Sequence, residues 1–251
     1  LGFIIGPCIN AAGRLGDAKT SLEFLLETDS FKANERAIEL LNINNTRKDM
    51  TEQGTKTAIG LLETSDHLLM GAVPETGVAA LSDRVLVMYI PKLHESLVGI
   101  IAGRIKERYY RPVLLFTDSE EEGIIKGSGR SIEGYNMYDE INKCSDYFTK
   151  FGGHEMAAGF SMEKRNLARL REKMNANCTL DEKLLTPKLR IDVPMPLDYV
   201  SIPLTEELEV LEPFGKGNEK PVFAQSGVRV KSARIMGKRQ NVLRVSFLME
   251  N

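Results

Sequence analysis

Residues 31–63 contain no proline and only two glycines, Gly54 and Gly60. Within them Ala33, Ala37, Leu40, Leu41, Ala58, Leu61 and Leu62 recur at helical spacing. The middle of the run is polar apart from Ile43 and Met50, and a helix that is polar over several turns usually bridges domains instead of lining one core. The spacing therefore predicts a long connector helix closed by Gly71 and Pro74, with another domain before it. A chain of 251 residues leaves room for one large domain or two small ones beside such a rod.

The stretch before the run contains the turn signal Gly6-Pro7 and an arginine, Arg14, between Gly13 and Gly16. Asp17 and Thr20 are candidate caps for a helix holding Leu22, Leu25 and Leu26. After the run the period changes. Residues 78–81 and 85–90 read as short buried strands, residues 94–108 as a helix with Leu97, Ile101 and Ile105 on one stripe and Arg104 and Arg108 on another. Strands at 112–116, 123–131 and 157–162 and helices at 137–144 and 166–177 complete an α/β alternation. Residues 127–131 read as the strand breaking into a Gly-Ser turn. Pro187 marks a boundary, and Pro194, Pro196 and Pro203 keep the chain extended. A short helix at 205–211 then precedes three strand-like runs, 222–225, 228–233 and 242–248.

Composition excludes more than it selects. The chain is 42% hydrophobic and 27% charged, with a formal net charge of -2, so any nucleic-acid surface must be local. Cys8, Cys144 and Cys178 are odd in number and far apart, which argues against a disulfide framework and fits a reducing compartment. No apolar run approaches the roughly 18 residues of a membrane span, and no signal peptide is visible. Residue 1 is not methionine and lies in an apolar segment, and residues 243–251 stop on a strand pattern. A longer parent polypeptide is expected.

Two short constellations carry phosphate-binding chemistry. Residues 151–160 hold Gly152, Gly153, His154 and Gly159, where exposed N–H groups could form an anion concavity beside an imidazole. The alternative is a tight turn feeding a buried strand. Residues 127–131 place Ser128, Arg130 and Ser131 on a glycine-rich segment with several donors for one anion; an incidental arginine beside a simple turn is the alternative. From residue 220 to 249 there are seven basic residues and no acidic one, including Arg229, Lys231, Arg234, Lys238, Arg239 and Arg244. Strands carrying one sign of charge suit a single-stranded nucleic acid, and a solvated basic face is the alternative. His67, His94 and His154 share no ligand spacing, and Asp17, Asp83, Asp139 and Asp146 are scattered, so no metal site is expected in this chain.

Residues 6–18 (Gly-Pro-Cys-Ile-Asn-Ala-Ala-Gly-Arg-Leu-Gly-Asp-Ala), His94 with residues 98–104, and residues 127–131, 151–159 and 211–218 follow one another in an order that closely resembles the RecJ family of single-stranded-DNA-specific 5′→3′ exonucleases. The resemblance implies an α/β, DHHA1-type mixed sheet with flanking helices, preceded by the connector helix and followed by a partial, OB-like β-barrel. It implies the end of a DHH domain at 1–28, the connector at 29–74, a DHHA1 domain at 75–182 and a truncated OB fold at 186–251. It implies that Ser128, Arg130, Ser131, Gly152, Gly153 and His154 contact a DNA end, and that Asn10 and Arg14 face the active cleft. Mn²⁺ or Mg²⁺ would be held upstream, so the chain alone is expected to be inert. Single-stranded DNA is the implied partner in a cytoplasmic recombination and repair enzyme, with helicase or single-strand-binding proteins beside it and no membrane. Cys8 departs from the usual arginine of the family, and Ser96-Leu97 from a Glu-Gly pair. A phosphodiesterase of short oligonucleotides or cyclic dinucleotides and a non-catalytic single-strand-binding module are the other readings.

Overall fold

Gly6 and Pro7 do not make a turn: they sit in the first turn of α1 (Ile5–Leu15), where an N–H has no helical partner to lose. The structure is a computed structural model and describes residues 2, 4–67, 81–215, 217–237 and 240–248. Two compact units are distinguished, Leu1–Pro187 and Lys188–Asn251. In the first, Asp17 caps α2 (Ala18–Leu26) by accepting from the Lys19 N–H. The long helix α3 spans Ser30–His67, about 57 Å at 1.5 Å per residue.

Its buried positions are Leu40, Asn44, Thr51, Gly54, Ala58 and Leu62. Steps of three, four and seven keep them on one stripe, so α3 is packed along its length although half of that stripe is polar or small. Leu40 joins Cys8 and Ala12 of α1. Asn44 donates to Cys8 Sγ at 3.5 Å, and the Thr51 hydroxyl donates to the Arg47 carbonyl. Ala58 and Leu62 enter the core shared with the sheet. Gly71, Pro74 and residues 78–80 of the first expected strand lie outside the described residues; Leu81 is in a turn.

The sheet comprises β1 (Leu86–Tyr89), β2 (Val113–Asp118), β3 (Ile124–Arg130), β4 (Phe148–His154) and β5 (Ala157–Glu163), in the order β1-β2-β3-β5-β4. Only β1 and β2 are parallel, joined through α4 (Glu95–Tyr109). The other pairs are antiparallel, so one βαβ unit is followed by antiparallel strands in which β5 lies between β3 and the edge strand β4. Helices cover both faces of β1 and β2, and residues 86–89 and 113–116 are accordingly apolar. Leu114 and Phe116 face α5 (Met137–Asn142) and α6 (Leu167–Asn177), whereas Val113 and Leu115 face α3 and α4.

Two expectations fail here. Residues 127–129 are strand interior, because a Cβ at Gly127 would collide with the Phe160 ring and the Leu115 carbonyl. Strand β4 was not expected at all, since residues 148–154 are largely exposed and rich in glycine.

In the second unit α7 (Ile202–Glu209) is capped by Ser201, and Pro203 lies in its first turn instead of extended chain. β6 (Val193–Pro194) pairs with β7 (Phe223–Ala224), and β8 (Arg229–Met236) with β9 (Val242–Leu248). No closed barrel forms among the described residues. The β8–β9 register puts Arg229, Ser232, Arg234, Arg244 and Ser246 on one face together with Met236, Val242 and Leu248, and Val230, Ala233, Ile235, Leu243, Val245 and Phe247 on the other.

Candidate nucleic-acid interface

The register of the large sheet decides which expected site residues can meet. In antiparallel pairs, directly opposed residues share a face. Ser128 opposes Gly159, which opposes Gly152; Arg130 opposes Ala157, which opposes His154. These rows continue through Leu115 and Val113 on the α4 side. Ser128, Arg130, Gly152 and His154 therefore share the α4 face, while Gly153 lies in the row of Gly129 and Ala158 on the opposite face.

Arg130 is half-buried at the end of β3, and its guanidinium donates from Nη1 to Ser128 Oγ at 2.8 Å and to the Gly129 carbonyl at 2.7 Å. It lies under Gly99 of α4, where an added Cβ would come within 2.5 Å of Arg130 Nη2 and 3.0 Å of Ser128 Oγ. A missing side chain on the helix is thus what admits the arginine. From the other side, Arg14 in the last turn of α1 donates to the Ser96 carbonyl at 3.0 Å. The Ser96 hydroxyl returns a bond to the Arg14 carbonyl at 2.8 Å. His94 Nδ1 also lies 2.8 Å from Ser96 Oγ, so the serine hydroxyl joins the two. Ser96, unlike the glutamate the resemblance led one to expect, stitches α1 to the start of α4. Asn10 is exposed one turn before Arg14 on the same face of α1.

Electrostatics adds two residues that sequence reading missed as site residues. Burial, and then the nearby Arg14, pull the Arg130 pKa below its ordinary value. Burial, followed by Arg14 and Arg104, does the same for Arg47 on α3. Arg47 is held by Asn44, whose Oδ1 accepts from Nε at 3.1 Å and Nη2 at 3.0 Å. Arg14, Arg47, Arg104 and Arg130 come from four elements, and among the described residues none has a carboxylate ion-pair partner. Arg108, the expected companion of Arg104, pairs instead with Glu63 at 3.5 Å. Like charges gathered without counter-ions would attract an anion. The sequence signal for Arg47 was its place three residues beyond Asn44, on a stripe too polar to read as buried.

The remaining expected residues separate. Gly152, Gly153 and His154 form no isolated nest: they end β4 and pair with β5 across a hairpin. Gly153 is required there, because a Cβ would strike the Ala157 carbonyl and Ala158. His154 is exposed and accepts at Nδ1 from the Met156 N–H at 3.3 Å. Ser131 is 2% exposed, and its hydroxyl donates to the Tyr135 carbonyl at 2.5 Å, so it presents no donor to a ligand. In the second unit Arg234 lies directly opposite Arg244, a like-charged pair that is unfavourable unless an anion lies near. Lys231 sits at a register shift of β8. Lys238 and Arg239 lie outside the described residues. Among the described residues, no group of three His, Cys, Asp or Glu side chains could hold a metal ion, and no helix is long and apolar enough to cross a membrane.

A DHHA1 domain profile matches residues 82–179, and a RecJ OB domain profile matches residues 191–251. The chain combines a DHHA1 domain with a RecJ OB domain. It is 35% identical over 249 residues to the single-stranded-DNA-specific exonuclease RecJ of Salmonella typhimurium, covering 95% of this chain and 40% of that protein. It is 30% identical over 253 residues to RecJ of Bacillus subtilis, covering 100% of this chain and 30% of that protein. Crystal structures of RecJ from Thermus thermophilus in complex with Mn²⁺ and with Mg²⁺ match 99% of this chain at 27% identity, with TM-scores of 0.71 and 0.70, and this chain spans 36% and 38% of them. The chain thus spans well under half the length of these RecJ relatives.

Proposed function

We propose that this chain is the substrate-holding part of a metal-dependent exonuclease that degrades single-stranded DNA 5′→3′ in recombination and repair. The observation that carries the reading is the cluster of Arg14, Arg47, Arg104 and Arg130, which lacks carboxylate partners among the described residues and lies beside the Ser128 hydroxyl. Charge-assisted bonds from arginine are the strong, geometrically selective way to hold a phosphate. In this reading Arg130, Ser128 and Arg14 hold the terminal phosphate, and Asn10, Gly152 and His154 border its approach. Gly153 and Ser131 keep the sheet and the following loop in shape.

The domain division follows: residues 1–28 end a DHH domain, 29–74 connect, 75–182 form the DHHA1 domain and 186–251 the OB domain, in line with profiles at 82–179 and 191–251. On the basic face of β8–β9, Arg229, Arg234 and Arg244 contact further phosphates, with Lys231, Lys238 and Arg239 as the other members of the set. Mn²⁺ or Mg²⁺ would activate water on ligands outside this chain; the ions in the similar Thermus thermophilus structures support a divalent metal. Cytoplasmic placement and helicase or single-strand-binding partners belong to the same reading.

Arg130→Ala in the longer protein tests it. End binding of a 5′-phosphorylated oligonucleotide should weaken by about 1.5–3 kcal/mol, the range for hydrogen bonds to charged groups. Unchanged KM and kcat would remove Arg130 from the site. Robust Mn²⁺-dependent digestion by the isolated chain would overturn its assignment as a holding part only.

A further inference from the structure

Helix α4 packs on β2 and β3, whereas Gly159 of β5 and Lys150, Gly152 and His154 of β4, on the same face of the sheet, are exposed. Three rows cross this open face. One is Lys126, Ser161 and Lys150; the next is Ser128, Gly159 and Gly152; the third is Arg130, Ala157 and His154. Lys126 and Arg130 are four residues apart on β3, which puts the outer rows about 13 Å apart. The two lysines are two strand spacings apart, about 10 Å. The face thus carries cationic groups on both margins.

Beside Lys126 the surface is already concave. A cleft of about 280 Å³ lies between α4 and β3–β5, and its lining includes Glu95, Ser96, Val98, Lys126 and Ser161. Lys126 Nζ pairs with Glu95 at 3.0 Å, leaving its side chain 41% exposed. Lys150 is exposed and has no ion-pair partner among the described residues. Between the margins, a Cβ added at Gly159 or Gly152 would have nothing within 4 Å. Packing therefore does not demand glycine at either position, although glycine weakens a strand interior, and such positions often mark close approach by a ligand.

We propose that a single polynucleotide strand, its end held by the arginine cluster, crosses the β3–β5–β4 face with internal phosphates on Lys126 and Lys150. The two lysines and the adjoining cleft carry the assignment; the glycines keep the floor between the margins low. Glu95 competes with the strand for Lys126, so Glu95→Gln should tighten binding. This rests on the end-holding role of Arg130, and the two parts fail separately.

The test is fluorescence anisotropy on the full-length protein in EDTA, with a 5′-phosphorylated thymidine dinucleotide and a 5′-phosphorylated twelve-residue oligothymidylate. Lys126→Gln with Lys150→Gln should leave dinucleotide affinity within about twofold and weaken the longer strand roughly tenfold. The slope of log affinity against log salt should fall by about 1.4, or about 0.7 per lost phosphate contact on a single strand. Gly159→Val should fold with unchanged or raised Tm and weaken the longer strand. Unchanged long-strand affinity and salt slope in both variants would overturn the proposal. If Arg130→Ala still weakened both probes, the end-holding role would survive that failure. If Arg130→Ala weakened neither, the end-holding role would fall instead.

Discussion

Gly99→Ala separates stability from binding, because the same methyl group acts on both with opposite sign. In the interior of α4 the exchange favours the helix by about 1 kcal/mol. The new Cβ would stand 2.5 Å from Arg130 Nη2, where ordinary contact begins at 3.4 Å, so the guanidinium must retreat by about 1 Å. Its bonds to Ser128 Oγ at 2.8 Å and the Gly129 carbonyl at 2.7 Å do not survive such a shift. The obstacle is the end of a flexible side chain at a half-buried site, so the fold loses little. Net stability should stay within about 1 kcal/mol of the parent. A phosphate held by the displaced guanidinium should bind about 1.5–3 kcal/mol more weakly, roughly 10- to 100-fold. Gly103→Ala is the control, since its added Cβ meets nothing within 4 Å. Thermal melts with anisotropy on a 5′-phosphorylated oligonucleotide read both quantities. Unchanged affinity with a normal melt would refute the placement of Arg130 at the phosphate. A loss of several kcal/mol in stability would show that backbone, and not the arginine, absorbs the clash.

Ser131→Ala should lower stability by about 1 kcal/mol, the usual worth of one hydrogen bond, and leave oligonucleotide affinity alone; weakened binding would restore Ser131 as a ligand contact. Asn175→Ala should cost about 2–3 kcal/mol in urea denaturation, because its Oδ1 accepts from the Arg84 and Val85 N–H groups and its Nδ2 donates to the Val85 carbonyl. A change under about 0.5 kcal/mol would mean that water replaces those bonds. The Tyr89 hydroxyl, then the Lys92 N–H, hold the Asp118 carboxyl below the usual carboxylate range. A depressed folded pKa gives stability that is complete above the unfolded value of about 4 and is lost as pH falls through the folded value. Asp118→Asn should flatten that acid limb in urea midpoints taken from about pH 5 downward, and an unaltered limb would assign it to other carboxylates.

What the sequence made legible, and what it hid, follows from how each residue is used. The sheet core was readable because β1 and residues 113–116 of β2 are buried on both faces and therefore apolar without interruption. The long helix was readable from the lack of breakers, but its packing was not: Asn44, Thr51 and Gly54 sit on the buried stripe. Gly54 is there because a Cβ would come within 2.5 Å of Ile101 Cδ1, which marks a close helix crossing. Residues 127–129 and 151–153 looked like turns because glycine is the usual sign of one. Here Gly127 and Gly153 make room for an aromatic ring and a neighbouring strand. Arg14 and Arg130 were singled out through short motifs; Arg104 lay at the end of one without being read as a site residue, and Arg47, in none, is revealed only by its surroundings.

The arginine cluster has a thermodynamic consequence. Arg14 and Arg130 are 116 positions apart in the chain (130 − 14), so the unfolded chain contains no such gathering of charge. Every kilocalorie of repulsion among these guanidinium groups is a debt of the native state alone, and a bound polyanion cancels it. Folding and occupancy are then one linked equilibrium: a ligand at 100 times its Kd adds about 2.7 kcal/mol to the native state. Under the proposed reading, phosphate binding and folding would each strengthen the other.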